Sequence, residues 1–125
     1  MRVQMKLELV PLPVADVERS KTFYTDAVGF DLDHDVQPGN GVRIVQLTPP
    51  GSACSIVIGA GMGNSSPAEG TVKGLHLVVE TSLRRDQLMK HGAAVTEIED
   101  MGGVKFAYFS DPDGNSWALQ EIGQM

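Results

Sequence analysis

The order of elements in this chain occurs twice. Hydrophobic alternation and turn residues mark a strand, a helix and three strands, and after a Gly-, Ser-, Asn- and Pro-rich stretch the same order returns. In a chain of 125 residues each half is too small to bury much apolar surface alone, so the two halves must share a core. Val10–Val14 lies against Leu75–Val79, and Pro49-Pro50-Gly51 against Pro112-Asp113-Gly114. These two matches define the internal register.

In the first half, Lys6–Val14 reads as a strand, and Pro11 and Pro13 place it at a sheet edge because they cannot donate to a ladder. Asp16 caps a helix whose apolar stripe is Val17, Phe23, Tyr24 and Val28, and Gly29 ends it. Strands follow at Asp31–Val36, Val42–Thr48 and Ala53–Gly59, with turns at Gly39-Asn40-Gly41 and Pro49-Pro50-Gly51. Gly61 to Gly70 has the composition of a flexible linker. The second half gives a strand at Gly74–Val79, a helix at Ser82–His91 stopped by Gly92, and strands at Ala94–Glu99, Val104–Ser110 and Ser116–Ile122. Asp111-Pro112-Asp113-Gly114 is the tight turn between the last two. One domain over residues 1–125 is therefore expected, with module 1 at about 6–60, a linker at about 61–72 and module 2 at about 73–123.

The balance of charge excludes several functions. A net charge of -6 argues against a nucleic-acid partner, which would need clustered Lys and Arg. No apolar run reaches the ~20 residues of a bilayer span, so no membrane partner is expected. The opening Met1-Arg2-Val3-Gln4 starts no signal-peptide apolar region, and a cytoplasmic location is expected. A single cysteine, Cys54, rules out an internal disulfide and any multi-cysteine metal site.

Two stretches resemble a known family. Val14-Ala15-Asp16-Val17-Glu18-Arg19-Ser20, with Phe23-Tyr24 and Gly29-Phe30, is similar to the first motif of the vicinal oxygen chelate superfamily. Phe109-Ser110-Asp111-Pro112-Asp113-Gly114-Asn115, with Trp117 and Leu119, is similar to its closing motif. That group includes glyoxalase I, bleomycin-resistance proteins and extradiol dioxygenases. The resemblance implies an α+β fold of two βαβββ modules, whose curled mixed sheets form a cavity, and a homodimer. The motif residues themselves read as scaffold: Asp16 caps, Phe23 and Tyr24 pack, and Asp111 and Asn115 satisfy the donors of a turn at Gly114.

Glyoxalase-like members hold a divalent metal with four His or Glu side chains, one from each of four strands. Matching the motifs places two of those positions at Leu9 and Ala118, and the repeat carries them to Gly74 and Ser55. None of the four offers an imidazole or a carboxylate, so neither a metal nor another cofactor is expected.

Strand alternation then predicts the cavity lining. Phe109 and Trp117 form a core pair, which sets Tyr108 opposite Ala118 and Phe106 opposite Gln120 on the inward face, with His76 alongside. The repeat turns Arg43 inward as well, as the counterpart of Phe106. His76 is the candidate catalytic residue, an acid or base near neutral pH, or else a satisfied strand histidine. Arg43 reads as a clamp for a carboxylate or phosphate, or as an exposed sheet arginine. Phe106, Tyr108 and Gln120 read as substrate-binding residues, or as ordinary packing.

Other clusters point elsewhere. Gly59-Ala60-Gly61-Met62-Gly63 lacks the spacing of a dinucleotide loop, and Asp31, Asp33, His34 and Asp35 read as a solvated face. His91 fits a helix C-terminus and Cys54 a small packed hydrophobe. Two functions survive: a metal-independent lyase or isomerase with His76 as proton shuttle, and a protein that binds and sequesters an antibiotic or metabolite. Both take a small-molecule ligand. The missing ligands argue against true lactoylglutathione lyase or dioxygenase activity.

Overall fold

A computed structural model describes residues 3–60 and 70–122. Most of the expected linker, at residues 61–69, lies outside the described residues. Each half forms one four-stranded sheet with its helix on one face. Module 1 contains β1 (Leu9–Pro11), α1 (Val17–Thr22), a π-helical continuation (Phe23–Val28), β2 (Asp31–Gly39), β3 (Val42–Thr48) and β4 (Ser55–Ala60). Module 2 contains β5 (Leu75–Val78), α2 (Thr81–Lys90), β6 (Glu99–Met101), β7 (Val104–Ser110) and β8 (Ser116–Ile122). The orders are β1-β4-β3-β2 and β5-β8-β7-β6, with the first strand of each module parallel to its last and the other pairs antiparallel.

Local chemistry explains most boundaries. β1 is shorter than the Lys6–Val14 expectation and lies at an edge, where Pro11 and Pro13 end the ladder. Asp16 caps α1 by accepting from the Arg19 amide at 3.1 Å. Gly29, at φ 89°, ends the helical stretch in a left-handed conformation that favours glycine. The strand expected at Ala94–Glu99 is displaced to Glu99–Met101. Val95 makes an isolated bridge to Phe109 while Glu99 pairs with Phe106, which leaves one extra residue on the 95–99 side. β2, the outer strand of its sheet, carries two register shifts, at Leu32/His34 and Val36/Gly39.

The core lies between the sheets and the helices. Val45, Leu47, Ile56 and Ile58 from one sheet join Ala107, Phe109, Trp117 and Leu119 from the other, with Tyr24 and Phe30 among them. Phe109 and Trp117 pair across β7 and β8 with near-parallel rings 6.2 Å apart, as expected from the sequence.

A buried polar knot joins the modules. The Tyr24 hydroxyl donates to Asp111 Oδ2 at 2.7 Å and accepts from Trp117 Nε1 at 3.0 Å. Asp111 Oδ1 accepts from the amides of Asp113 and Asn115, both at 2.9 Å. The Asn115 carboxamide donates to Asp111 Oδ2 at 2.8 Å and to the Pro13 carbonyl at 3.0 Å. Gly70 threads beside this turn, where a Cβ would lie 2.1 Å from the Asp113 carbonyl oxygen, so no larger residue fits. The two sequence motifs, far apart in the chain, thus meet in one hydrogen-bonded cluster.

Burial, and after it the adjacent Asp111 carboxylate, pushes the Tyr24 phenol well above its ordinary value of 10.0. A phenol that ionises only in the unfolded chain stabilises the fold below its unfolded pKa. That stability declines as pH rises past about 10. Replacing Tyr24 with Phe leaves Asp111 and Trp117 each short of a partner, and urea unfolding at neutral pH should show a loss of about 1–3 kcal/mol. The same substitution should weaken the alkaline fall in stability, which a series of urea midpoints between about pH 8 and 11 would check.

Candidate functional site

Alternation divides the second sheet into two faces. Leu75, Leu77, Ala107, Phe109, Trp117 and Leu119 point to the helices. His76, Val78, Phe106, Tyr108, Ala118 and Gln120 take the other face, with Phe106 opposite Gln120 and Tyr108 opposite Ala118, the pairing expected from the sequence. Four of the five candidate residues therefore gather on one surface.

Their geometry forms a platform. The Phe106 and Tyr108 rings are inclined by only 4°, with centroids 6.3 Å apart. His76 meets Phe106 edge-on at 6.3 Å and 87°. His76 Nδ1 lies 2.8 Å from Gln120 Oε1. A carboxamide oxygen only accepts, so Nδ1 carries the proton, and in the neutral ring Nε2 presents its lone pair. Tyr108 is 39% exposed and Val78 is 70% exposed. The patch is apolar and open, with one polar rung across it.

Arg43 lies elsewhere. It shares the side of β3 that carries the buried Val45 and Leu47, facing the helices. Its guanidinium donates to Asp35 at 3.0 and 2.8 Å and approaches Glu18 of α1 at 2.5 Å. Hydrogen bonds from Arg43 and then Lys21 hold the Asp35 carboxyl well below the usual carboxylate range. The inward orientation expected for Arg43 is thus corrected. The register taken from the Pro-Gly turns is one residue out along β3, and a one-residue step turns a side chain to the opposite face. Aligning the buried pair Val45 and Leu47 with Ala107 and Phe109 would have brought Ile44 and Gln46 to the Phe106 and Tyr108 positions.

That face of the first sheet carries a polar rail which the sequence reading missed. Ser55 is only 5% exposed. Its hydroxyl accepts from Gln46 Nε2 at 3.3 Å and lies 2.6 Å from the Thr48 hydroxyl. Thr48 in turn donates to Asp33. The two sheets present unlike surfaces, one aromatic and one hydroxyl- and amide-rich.

The positions that match the family's metal ligands also differ from expectation. Leu9 pairs with Ser55, but Ala118 pairs with His76 and not with Gly74. The strand register of the repeat therefore changes between modules. Even with His76 in place of Gly74, the set contributes one imidazole, one hydroxyl and two apolar side chains, which does not fit a divalent ion. Among the described residues no group of three or more His, Cys, Asp or Glu is arranged to hold a metal. A chelator should therefore leave the melting temperature unchanged, as differential scanning fluorimetry with and without EDTA would record.

Two βαβββ modules of this kind, with open sheet faces and a shared core, define a class of small-molecule-handling folds. Residues 6–119 match the family model of the Glyoxalase/Bleomycin resistance protein/Dioxygenase superfamily, and the chain belongs to that superfamily. It is similar to TnmS3, an antibiotic binding protein from Streptomyces sp. CB03234, with 32% identity, a TM-score of 0.86, and coverage of 98% of this chain and 100% of that one. A glyoxalase/bleomycin resistance protein from Streptomyces sp. CB03234 shows 35% identity and a TM-score of 0.77, over 91% of this chain and 98% of that one. A superfamily member from Sphaerobacter thermophilus shows 27% identity and a TM-score of 0.82, over 94% and 98%. A comparison with curated proteins finds no match. No described helix is long and apolar enough to cross a membrane.

Proposed function

We propose that this protein binds a small, planar aromatic molecule on the open aromatic face of its second sheet, in the cytoplasm, and works by sequestration. The observation that carries the reading is the near-parallel Phe106 and Tyr108 pair, flanked by the His76–Gln120 hydrogen bond. Flat rings stack on such a surface at low entropic cost, and the Nε2 lone pair gives a ligand hydroxyl or N–H one directional contact. The similarity to an antibiotic binding protein over almost the whole chain supports the same reading.

A second reading rests on the same imidazole. An accessible Nε2 beside an aromatic wall suits a proton shuttle in a metal-independent lyase or isomerase. Against it stands the partner of Nδ1, a neutral amide where a carboxylate would stabilise the imidazolium formed on proton abstraction. Sequestration is therefore the preferred function.

The open face also needs a cover. With Tyr108 and Val78 exposed, a second copy of the chain in a two-fold dimer would close the platform. Light scattering at micromolar concentration should give a mass near twice 13.4 kDa.

Binding is tested with a planar polycyclic aromatic probe that carries a hydroxyl donor, such as 1-hydroxypyrene, titrated by fluorescence. Alanine at Phe106 and Tyr108 together should weaken its affinity by about 1–3 kcal/mol, the worth of two aromatic contacts. His76→Gln should weaken it by about 0.5–1.5 kcal/mol, the range of one hydrogen bond. Unchanged affinity in the double variant would overturn the proposal. Turnover of any ligand that falls roughly 10²–10⁴-fold in His76→Gln at constant affinity would favour the enzyme.

A further inference from the structure

A cleft lies on the helix side of the second sheet. It has a volume of about 530 Å³ and runs between α2, the end of the π-helical stretch, the Pro49–Ser52 turn and β5. That size falls within the range of small-molecule pockets. Phe30, Leu83 and Leu88 give it apolar walls. His76 and Val78 border it as well, so it backs onto the aromatic platform across the open edge of β5.

Arg84 sets its chemistry. Among the described residues the other arginines each have a carboxylate: Arg19 pairs with Asp113, Arg43 with Asp35 and Glu18, and Arg85 with Glu97. Arg84 has none within salt-bridge distance among the described residues. Among them its side chain donates to the neutral Gln87 carboxamide, at 2.6 Å. The guanidinium lies over Gly29, where a Cβ would still be 4.0 Å from Nη1, so that residue leaves its surface uncovered. In a chain of net charge -6, a half-buried guanidinium with no carboxylate partner among the described residues, set beside the apolar walls of a cleft that also has polar lining, is a recognition element for an anion. Glu80 also borders the cleft, and its carboxylate opposes a second negative charge there.

We propose that this cleft is a separate binding site for a monocarboxylate with an apolar body, its carboxylate on Arg84 and its hydrocarbon against Phe30, Leu83 and Leu88. The proposal is independent of the aromatic platform.

Isothermal titration of the whole protein with decanoate, decanol and decanedioate tests it. Decanoate should bind more tightly than decanol or the dianion. Arg84→Gln should weaken decanoate by roughly 10- to 100-fold, the worth of a charged hydrogen-bonded contact, and leave decanol unchanged. Arg84→Lys should fall between. Alanine at Phe106 and Tyr108 should leave decanoate affinity intact while it weakens binding of the aromatic probe, so the two sites fail separately. Equal affinity in Arg84→Gln, no binding of decanoate at millimolar concentration, or loss of decanoate in the Phe106 and Tyr108 variant instead would overturn the proposal. Should Arg84→Gln not fold, the Arg84 Nε–H resonance of the unaltered protein decides: it must shift with decanoate and not with decanol, and a resonance that stays fixed overturns the site.

Discussion

The hydrogen bond from Tyr24 to Asp111 holds the two halves of the molecule in one arrangement. Neither half has room for a full core, so both contribute residues to a shared one. Apolar packing alone tolerates many relative placements. A buried phenol, carboxylate, indole and carboxamide tolerate few, because each loses its partner if the halves slide. The same Asp111 also closes the turn between β7 and β8, so the hairpin that displays the aromatic platform is built on the group that fastens the modules.

This arrangement leaves each sheet with one face for the core and one turned away from it. On the second sheet the alternation of Phe106, Ala107, Tyr108 and Phe109 sends two aromatic rings outward and a third inward from a single strand. On the first sheet that face includes Gln46, Thr48 and Ser55, already bonded to one another, beside Ile44 and Val57. Sequestration of a flat molecule, the function proposed for this face, needs no activated group, only a surface whose rotamers are settled before the ligand arrives. Stacked rings and a histidine fixed by its neighbour meet that need.

Features governed by short-range chemistry were legible in the sequence. The cap at Asp16, the glycine at 29, the turn at Asp111 and the pairing of Phe109 with Trp117 each depend on residues a few positions apart or on one hairpin. From that hairpin the positions of Phe106, Tyr108 and Gln120 followed. Transfer between the halves was less secure. Their strands do not share a single register, so Arg43 was assigned to the wrong face and Gly74 was set where His76 stands opposite Ala118. The cleft around Arg84 had no signature at all, since it arises where a guanidinium from one module, bonded to Gln87, meets a glycine from the other.

The outer strand of the first sheet has a further consequence. β2 shifts register twice against β3 and carries Asp31, Asp33 and Asp35 along its length. A strand with such breaks cannot offer the evenly spaced donors and acceptors that another chain would need in order to extend the sheet, and the Asp31 and Asp33 carboxylates repel a copy of itself. This border is therefore protected against runaway stacking into fibrils. The molecule can keep other apolar surface exposed, such as Val78 and Tyr108, without also offering a template for its own polymerisation along this border.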